Sequence, residues 1–104
     1  MNVIQDTFKG RGSQKGFMFS KIKREGNVAI YSKSSGEEGG GDVTYYETVV
    51  INQHNGYKLG GVVFPPGENY PSETQFGIRG WCYRDLQKAE NKFQELLNKK
   101  KEND

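Results

Sequence analysis

Short runs of β-forming residues, separated by glycine-rich breaks, fill most of the chain, and helical spacing of apolar residues emerges only near the end. Phe17-Met18-Phe19-Ser20-Lys21-Ile22 predicts a strand, Glu25-Gly26 a two-residue hairpin turn, and Val28-Ala29-Ile30-Tyr31 the return strand. The segment 36–42 has no apolar side chain to pack and predicts a mobile glycine-rich loop. Thr44-Tyr45-Tyr46-Glu47-Thr48-Val49-Val50-Ile51 is apolar on both alternating faces, as an inner strand of a sheet would be. Asn55-Gly56 predicts a hairpin turn, after which Tyr57 to Phe64 would return alongside that strand. Within this return, Gly60-Gly61 reads as either a bulge or a second tight turn, and Pro65-Pro66 ends it. Ser72 and Gln75 have the spacing of a capping box for one helical turn, and Gly80-Trp81-Cys82-Tyr83 predicts a short strand.

The terminal helix has the clearest pattern. Leu86, Ala89, Phe93, Leu96 and Leu97 fall on one stripe of a helical wheel, with Asp85 placed to cap its start. Lys99, Lys100 and Lys101 suit the negative end of the helix dipole. These elements predict an α+β fold: an antiparallel sheet of four to five strands with one C-terminal helix packed on one face.

Composition narrows the picture. The chain has 104 residues, the length of one domain over residues 1–104. Only 33% of residues are hydrophobic but 12% are aromatic, so the core should rest on a few large rings. Residues 1–16 read as a flexible basic arm and residues 99–104 as a loose tail. The single cysteine, Cys82, excludes an intrachain disulfide, and the first residues lack an apolar signal-peptide core. No apolar run reaches membrane-spanning length. The expectation is therefore a cytoplasmic protein without a membrane partner.

Catalytic and cofactor chemistry finds little to build on. Cys82 and His54 are the only Cys and His, and nothing in their spacing brings them together. They cannot make a usual zinc set, and Glu37, Glu38 and Asp42 lack the spacing of a calcium loop. The glycines at 10, 12 and 16 match neither the dinucleotide fingerprint nor a P-loop. The sequence predicts no enzyme, no metal site and no cofactor.

Charge changes the picture more than the net value of +2 implies. Residues 1–35 hold seven Lys/Arg against two acids, whereas residues 36–78 hold one Lys against six acids. Such segregation predicts a basic surface that contacts nucleic acid or a host protein. The candidate contacts are Lys9, Arg11 and Lys15 in the arm, Lys21, Lys23 and Arg24 in the first hairpin, and Arg79 and Arg84 among Tyr70, Phe76, Trp81 and Tyr83. Rings interleaved with cations suit base stacking and phosphate contact. Phe76 and Trp81 have an alternative reading as core fillers, with Gly77 and Gly80 admitting close backbone approach.

The Tyr-Pro at 70, the Phe-Gly at 76, the run Gly80-Trp81-Cys82-Tyr83 and the start of the last helix resemble small phage- or mobile-element-encoded proteins of uncharacterised role. That resemblance, over residues 44–97, implies no activity but would suit an accessory protein that binds or inhibits a host protein. Gln75-Phe76-Gly77-Ile78-Arg79-Gly80 is also similar to the WGR domains, nucleic-acid-contacting modules in which a Trp-Gly-Arg segment leads to a helix. Here Phe76 stands in place of the Trp and Ile78 separates Gly77 from Arg79.

Overall fold

The computed structural model describes residues 4–10, 14–35 and 44–103. Its centre is a five-stranded antiparallel sheet. The strands are β1 (Thr7–Lys9), β2 (Phe17–Glu25), β3 (Val28–Ser35), β4 (Thr44–Val50) and β9 (Gly80–Tyr83), in the spatial order β1-β2-β3-β4-β9. Two small ribbons lie outside it. β5 (Asn52–His54) pairs with β8 (Gly67–Asn69), and β6 (Tyr57–Leu59) pairs with β7 (Val62–Phe64). A single turn of 3₁₀-helix spans Glu73–Gln75, and the helix α1 (Leu86–Asn103) packs on β3, β4 and β9. This is the α+β arrangement that the sequence predicts. Among the described residues no helix is long and apolar enough to cross a membrane.

Strand alternation divides the core into two layers. On one face Val28 and Ile30 pack against Ala89, Phe93 and Leu97, so the helical stripe is the stripe that is buried. Thr48 donates its hydroxyl to the Ala89 carbonyl at 2.7 Å, which satisfies a polar group at the centre of this layer. Asp85 caps α1 by accepting from the Gln87 amide at 2.8 Å. On the other face Phe19, Ala29, Tyr31, Val49 and Ile51 form a second cluster, flanked by Phe8, Tyr70 and Phe76. Phe8 and Phe19 stack with centroids 5.0 Å apart, and Tyr70 sets its edge against Phe8, Phe19 and Tyr31 at 5.3–5.5 Å. Such pairs contribute about 0.5–1.5 kcal/mol each beyond the area they bury. Rings thus dominate one layer, while α1 brings mostly aliphatic side chains to the other.

Several local expectations are corrected. The first hairpin turns at Gly26-Asn27, one residue later than predicted, because Glu25 already pairs with Val28. Tyr57 to Phe64 does not return beside β4. It folds on itself at Gly60-Gly61, whose φ values of 56° and 81° fit a tight turn that glycine makes without strain. β4 instead pairs with β9 on that side. Within residues 1–16, Thr7–Lys9 form the edge strand β1. At the other end, α1 continues through residues 99–103. The glycine-rich segment 36–42 lies outside the described residues.

Gly80 has the close-packing role expected of it, since a Cβ there would lie 2.9–3.1 Å from the Phe76 ring.

Candidate functional site

Among the described residues, the predicted cations Lys21, Lys23, Arg24 and Arg79 make separate contacts within the fold. Lys21 pairs with Asp6 at 2.8 Å, and Lys23 reaches Glu90 at 3.7 Å while its ammonium sits 4.7 Å from the Phe93 ring centroid. Lys23 therefore belongs to the helix side. Arg24 turns to the opposite side and forms a forked pair with Glu68, at 2.8 and 2.6 Å, with its Nε donating to the Gly26 carbonyl. Arg79 is half-buried beside the Ile51 carbonyl, 3.5 Å from its Nη2. Lys9 and Lys15 are exposed, and Arg11 lies outside the described residues. Arg84 is exposed and covers the Tyr45 ring at 5.0 Å.

Register assembles a different constellation on the sheet face away from α1. Phe8 of β1 lies opposite Phe19 of β2, Phe19 opposite Lys33 of β3, and Lys33 opposite Tyr45 of β4. Arg84, the residue after β9, continues this row over Tyr45. Each of β1 to β4 contributes one side chain, Arg84 follows β9, and the row reads ring, ring, cation, ring, cation. Phe17 adds a ring beside it, edge-on to Tyr45 at 6.5 Å and 4.5 Å from the Lys33 ammonium. Phe17, Lys33 and Tyr45 are half-buried, so the outer part of the row is accessible.

A groove of about 940 Å³ adjoins this row. Its floor includes Phe8, Phe19, Lys33, Glu47 and Cys82, and the segment that carries Tyr70 and Phe76 forms a wall. Lys33 and Glu47 form an ion pair with Nζ and Oε2 3.6 Å apart, their side chains 12% and 5% exposed. Glu47 also accepts the Tyr70 hydroxyl at 2.8 Å. Burial, followed by the adjacent Glu47 carboxylate, drives the Tyr70 phenol well above its ordinary pKa, so it remains a neutral donor. Cys82 lies opposite Glu47 in the sheet register. The residue is exposed, yet desolvation, with Glu47 next, raises the thiol to about 11. A thiol held neutral in this way is a poor nucleophile.

The rim is fixed by Glu68. Its carboxylate accepts both Arg24 bonds, the Gln53 amide at 3.0 Å and the Ile4 backbone N–H at 3.2 Å. The Arg24 hydrogen bonds are the main reason its pKa falls to about 2, and they in turn raise that of Arg24. Four donors on one carboxylate tie the N-terminal segment, the first hairpin and the β5–β8 ribbon together.

Comparison with protein-family models, curated proteins and solved structures gives no match to this chain. What the site can do must therefore be read from its own geometry. Cys82 does not meet His54, which instead stands edge-on to Tyr57 at 5.4 Å and accepts the Gly56 amide. Among the described residues no three of His, Cys, Asp and Glu are grouped to hold a metal ion. The arrangement offers ring faces, ring edges, two cations and one buried acid, a chemistry of binding.

Sequence reasoning missed Phe17, Lys33, Tyr45 and Glu47 as site residues, and it read Tyr70 as a stacking ring where the structure makes it a donor to Glu47. One signal was available: Glu47 is the only charge inside the most strand-like run of the chain. A buried acid requires a partner, and strand pairing supplies Lys33.

Proposed function

We propose that the protein is a non-catalytic binding module that holds single-stranded nucleic acid on the sheet face away from α1. The observation that carries this reading is the accessible end of the row, where the rings of Phe17 and Tyr45 stand beside the cations Lys33 and Arg84. A flexible single strand can present unpaired bases to Tyr45 and Phe17, whereas a duplex keeps its bases stacked internally. Lys9 and Lys15 are exposed near the β1–β2 connection and would add phosphate contacts, as would Arg11. The remaining predicted cations serve the fold: Lys21, Lys23 and Arg24 are paired with carboxylates.

The test is fluorescence anisotropy with labelled oligothymidine and oligouridine, against a duplex of equal length, at several salt concentrations. The expected result is preference for the single strands, with affinity falling as salt rises because phosphate contacts release counterions. Tyr45→Ala should weaken binding by about 1–3 kcal/mol, the range for one stacked base. Absence of binding at tens of micromolar protein in low salt would overturn the reading.

An apolar hairpin favours a second reading, in which the partner is a host protein. Leu59 and Val62 lie opposite each other in the pairing of β6 with β7, on one face of the ribbon, and are 68% and 55% exposed. Adjacent exposed apolar residues mark contact surfaces more often than scattered ones do. In a pull-down from bacterial lysate, the double substitution Leu59→Ser, Val62→Lys should abolish capture of that partner without altering the fold. Equal capture by both forms would reject this surface.

A further inference from the structure

We propose that the groove beneath Tyr70 is a binding site for a neutral, flat heteroaromatic ring bearing a carbonyl and an N–H side by side, the lactam edge found in uracil, thymine and guanine. This extends beyond the stacking row, and a free nucleoside could occupy the groove even if no strand binds the row.

Shape supplies the first argument. The open groove measures about 940 Å³, and Phe8, Phe19 and Tyr70, which pack on one another, give it one broad apolar wall, with Phe76 also in the lining. Sites that enclose small molecules commonly measure about 300–1,000 Å³ and combine apolar walls with a few convergent polar groups. Here the convergent groups are Lys33 and Glu47.

Hydrogen-bond capacity supplies the second. The Lys33 ammonium is 3.6 Å from Glu47 Oε2, a distance of charge pairing but beyond a good hydrogen bond. Rings occupy much of its remaining surroundings, with the Phe17, Phe19 and Tyr45 centroids at 4.5, 5.9 and 5.9 Å. An ammonium has three donors, and ring faces satisfy them poorly. Glu47 Oε1 accepts from Tyr70, the Cys82 thiol also hydrogen-bonds this carboxylate, and Lys33 reaches Oε2 only at 3.6 Å, so of the roughly four lone-pair sites of a carboxylate some remain open. A donor and an acceptor thus stand side by side with unused capacity. A ligand carbonyl would accept from Lys33 while the adjacent N–H donated to Glu47 Oε2.

Charge supplies the third. The lining holds Lys9 and Lys33 against Glu47 and Glu68. A ligand anion would meet two carboxylates and a ligand cation two ammoniums. The Glu68 oxygens are already filled by four donors, so that acid repels without offering an acceptor site. A neutral ligand that both donates and accepts satisfies the pair without upsetting the balance.

Tyrosine fluorescence and ligand-observed NMR would measure binding of uridine and guanosine, with 3-methyluridine and benzoate as comparators. Methylation at N3 keeps the ring and removes the donor. Uridine or guanosine should bind saturably at millimolar concentration or below, with 3-methyluridine weaker by roughly tenfold or more, since Glu47 would be left without its N–H. Lys33→Met should weaken uridine to a similar degree. As that substitution could also disturb the sheet, Thr74→Trp provides a second variant: Thr74 is exposed at the rim, and the indole would obstruct the groove. It should abolish nucleoside binding while leaving the unfolding midpoint unchanged. Competition between uridine and oligouridine would show that the base arrives within a strand, and uridine binding without competition that it arrives free; both outcomes support the site. No saturable nucleoside binding, equal binding of 3-methyluridine, or undiminished binding by Thr74→Trp would overturn it. In any of these cases, salt-sensitive oligonucleotide binding that needs Tyr45 would leave the stacking row standing by itself.

Discussion

Glu68→Gln removes one charge from the contact that joins three separate segments, and its cost follows from the geometry. The Glu68 side chain is 3% exposed and accepts from Arg24 at 2.8 and 2.6 Å, from Gln53 and from the Ile4 amide. Its pKa is lowered from 4.5 to about 2, chiefly by the Arg24 hydrogen bonds. At 1.36 kcal/mol per pH unit, that displacement corresponds to about 3 kcal/mol of stability above the unfolded-state pKa. The contact lies near the surface rather than deep in the core, and solvent screening reduces the figure to about 2 kcal/mol. The glutamine amide would also turn a donor toward Arg24, which supplies only donors. At neutral pH the variant should therefore unfold at lower urea, with stability reduced by about 2 kcal/mol, and melt about 10 °C lower. The sign of the pH dependence is definite. A lowered folded-state pKa gives stability that is complete above the unfolded value and is lost as pH falls through the folded value. The gap between wild type and variant should thus narrow from about pH 5 toward pH 2. A gap below about 0.5 kcal/mol at neutral pH, or one that stays constant down to pH 2, would refute the reasoning.

Two further outcomes are expected. Phe93→Ala should destabilise by about 3–5 kcal/mol in urea denaturation, because the ring is buried between β3 and α1 beneath the Lys23 ammonium, and a loss below about 1.5 kcal/mol would place it outside the core. Cys82 should alkylate slowly at neutral pH, where a thiol of pKa about 11 is ionised to about one part in ten thousand, with the rate against iodoacetamide still climbing above pH 9; a plateau by pH 9 would contradict this.

The parts of the fold legible in the sequence are those set by local periodicity. The stripe through Ala89, Phe93 and Leu97 is a property of one segment, and it is buried as its spacing requires. Gly80-Trp81-Cys82-Tyr83 likewise forms the strand its composition indicates. Pairing across long separations was less legible. Asn55-Gly56 carries a strong turn signal, yet Gly60-Gly61 makes the hairpin, and Asn52–His54 pairs with Gly67–Asn69 instead. The candidate site belongs to this second kind. Phe8, Phe19, Lys33, Tyr45 and Arg84 come from widely separated positions and meet only through strand register. Charge segregation along the chain was a poor guide for the same reason: folding brings Asp6, Glu90 and Glu68 onto Lys21, Lys23 and Arg24.

The register of β2 shifts between Lys21 and Lys23, leaving Ile22 as the extra residue. Lys21 lies opposite Tyr31, Lys23 opposite Ile30 and Arg24 opposite Ala29. Were the same residues, Ile22 included, paired in an uninterrupted ladder, the strand would keep its parity and Arg24 would stand opposite Val28 on the side covered by α1. The single added residue is therefore an odd step that exchanges inside for outside over the remainder of the strand. It lets one continuous strand supply Lys23 to the helix and Arg24 to the far layer. Deleting Ile22 would remove the bulge and close the ladder with Lys23 still opposite Ile30 and Arg24 still opposite Ala29, so the Arg24–Glu68 contact would be kept. The bulge thus absorbs one odd residue, and the pairing beyond it decides which layer each cation reaches.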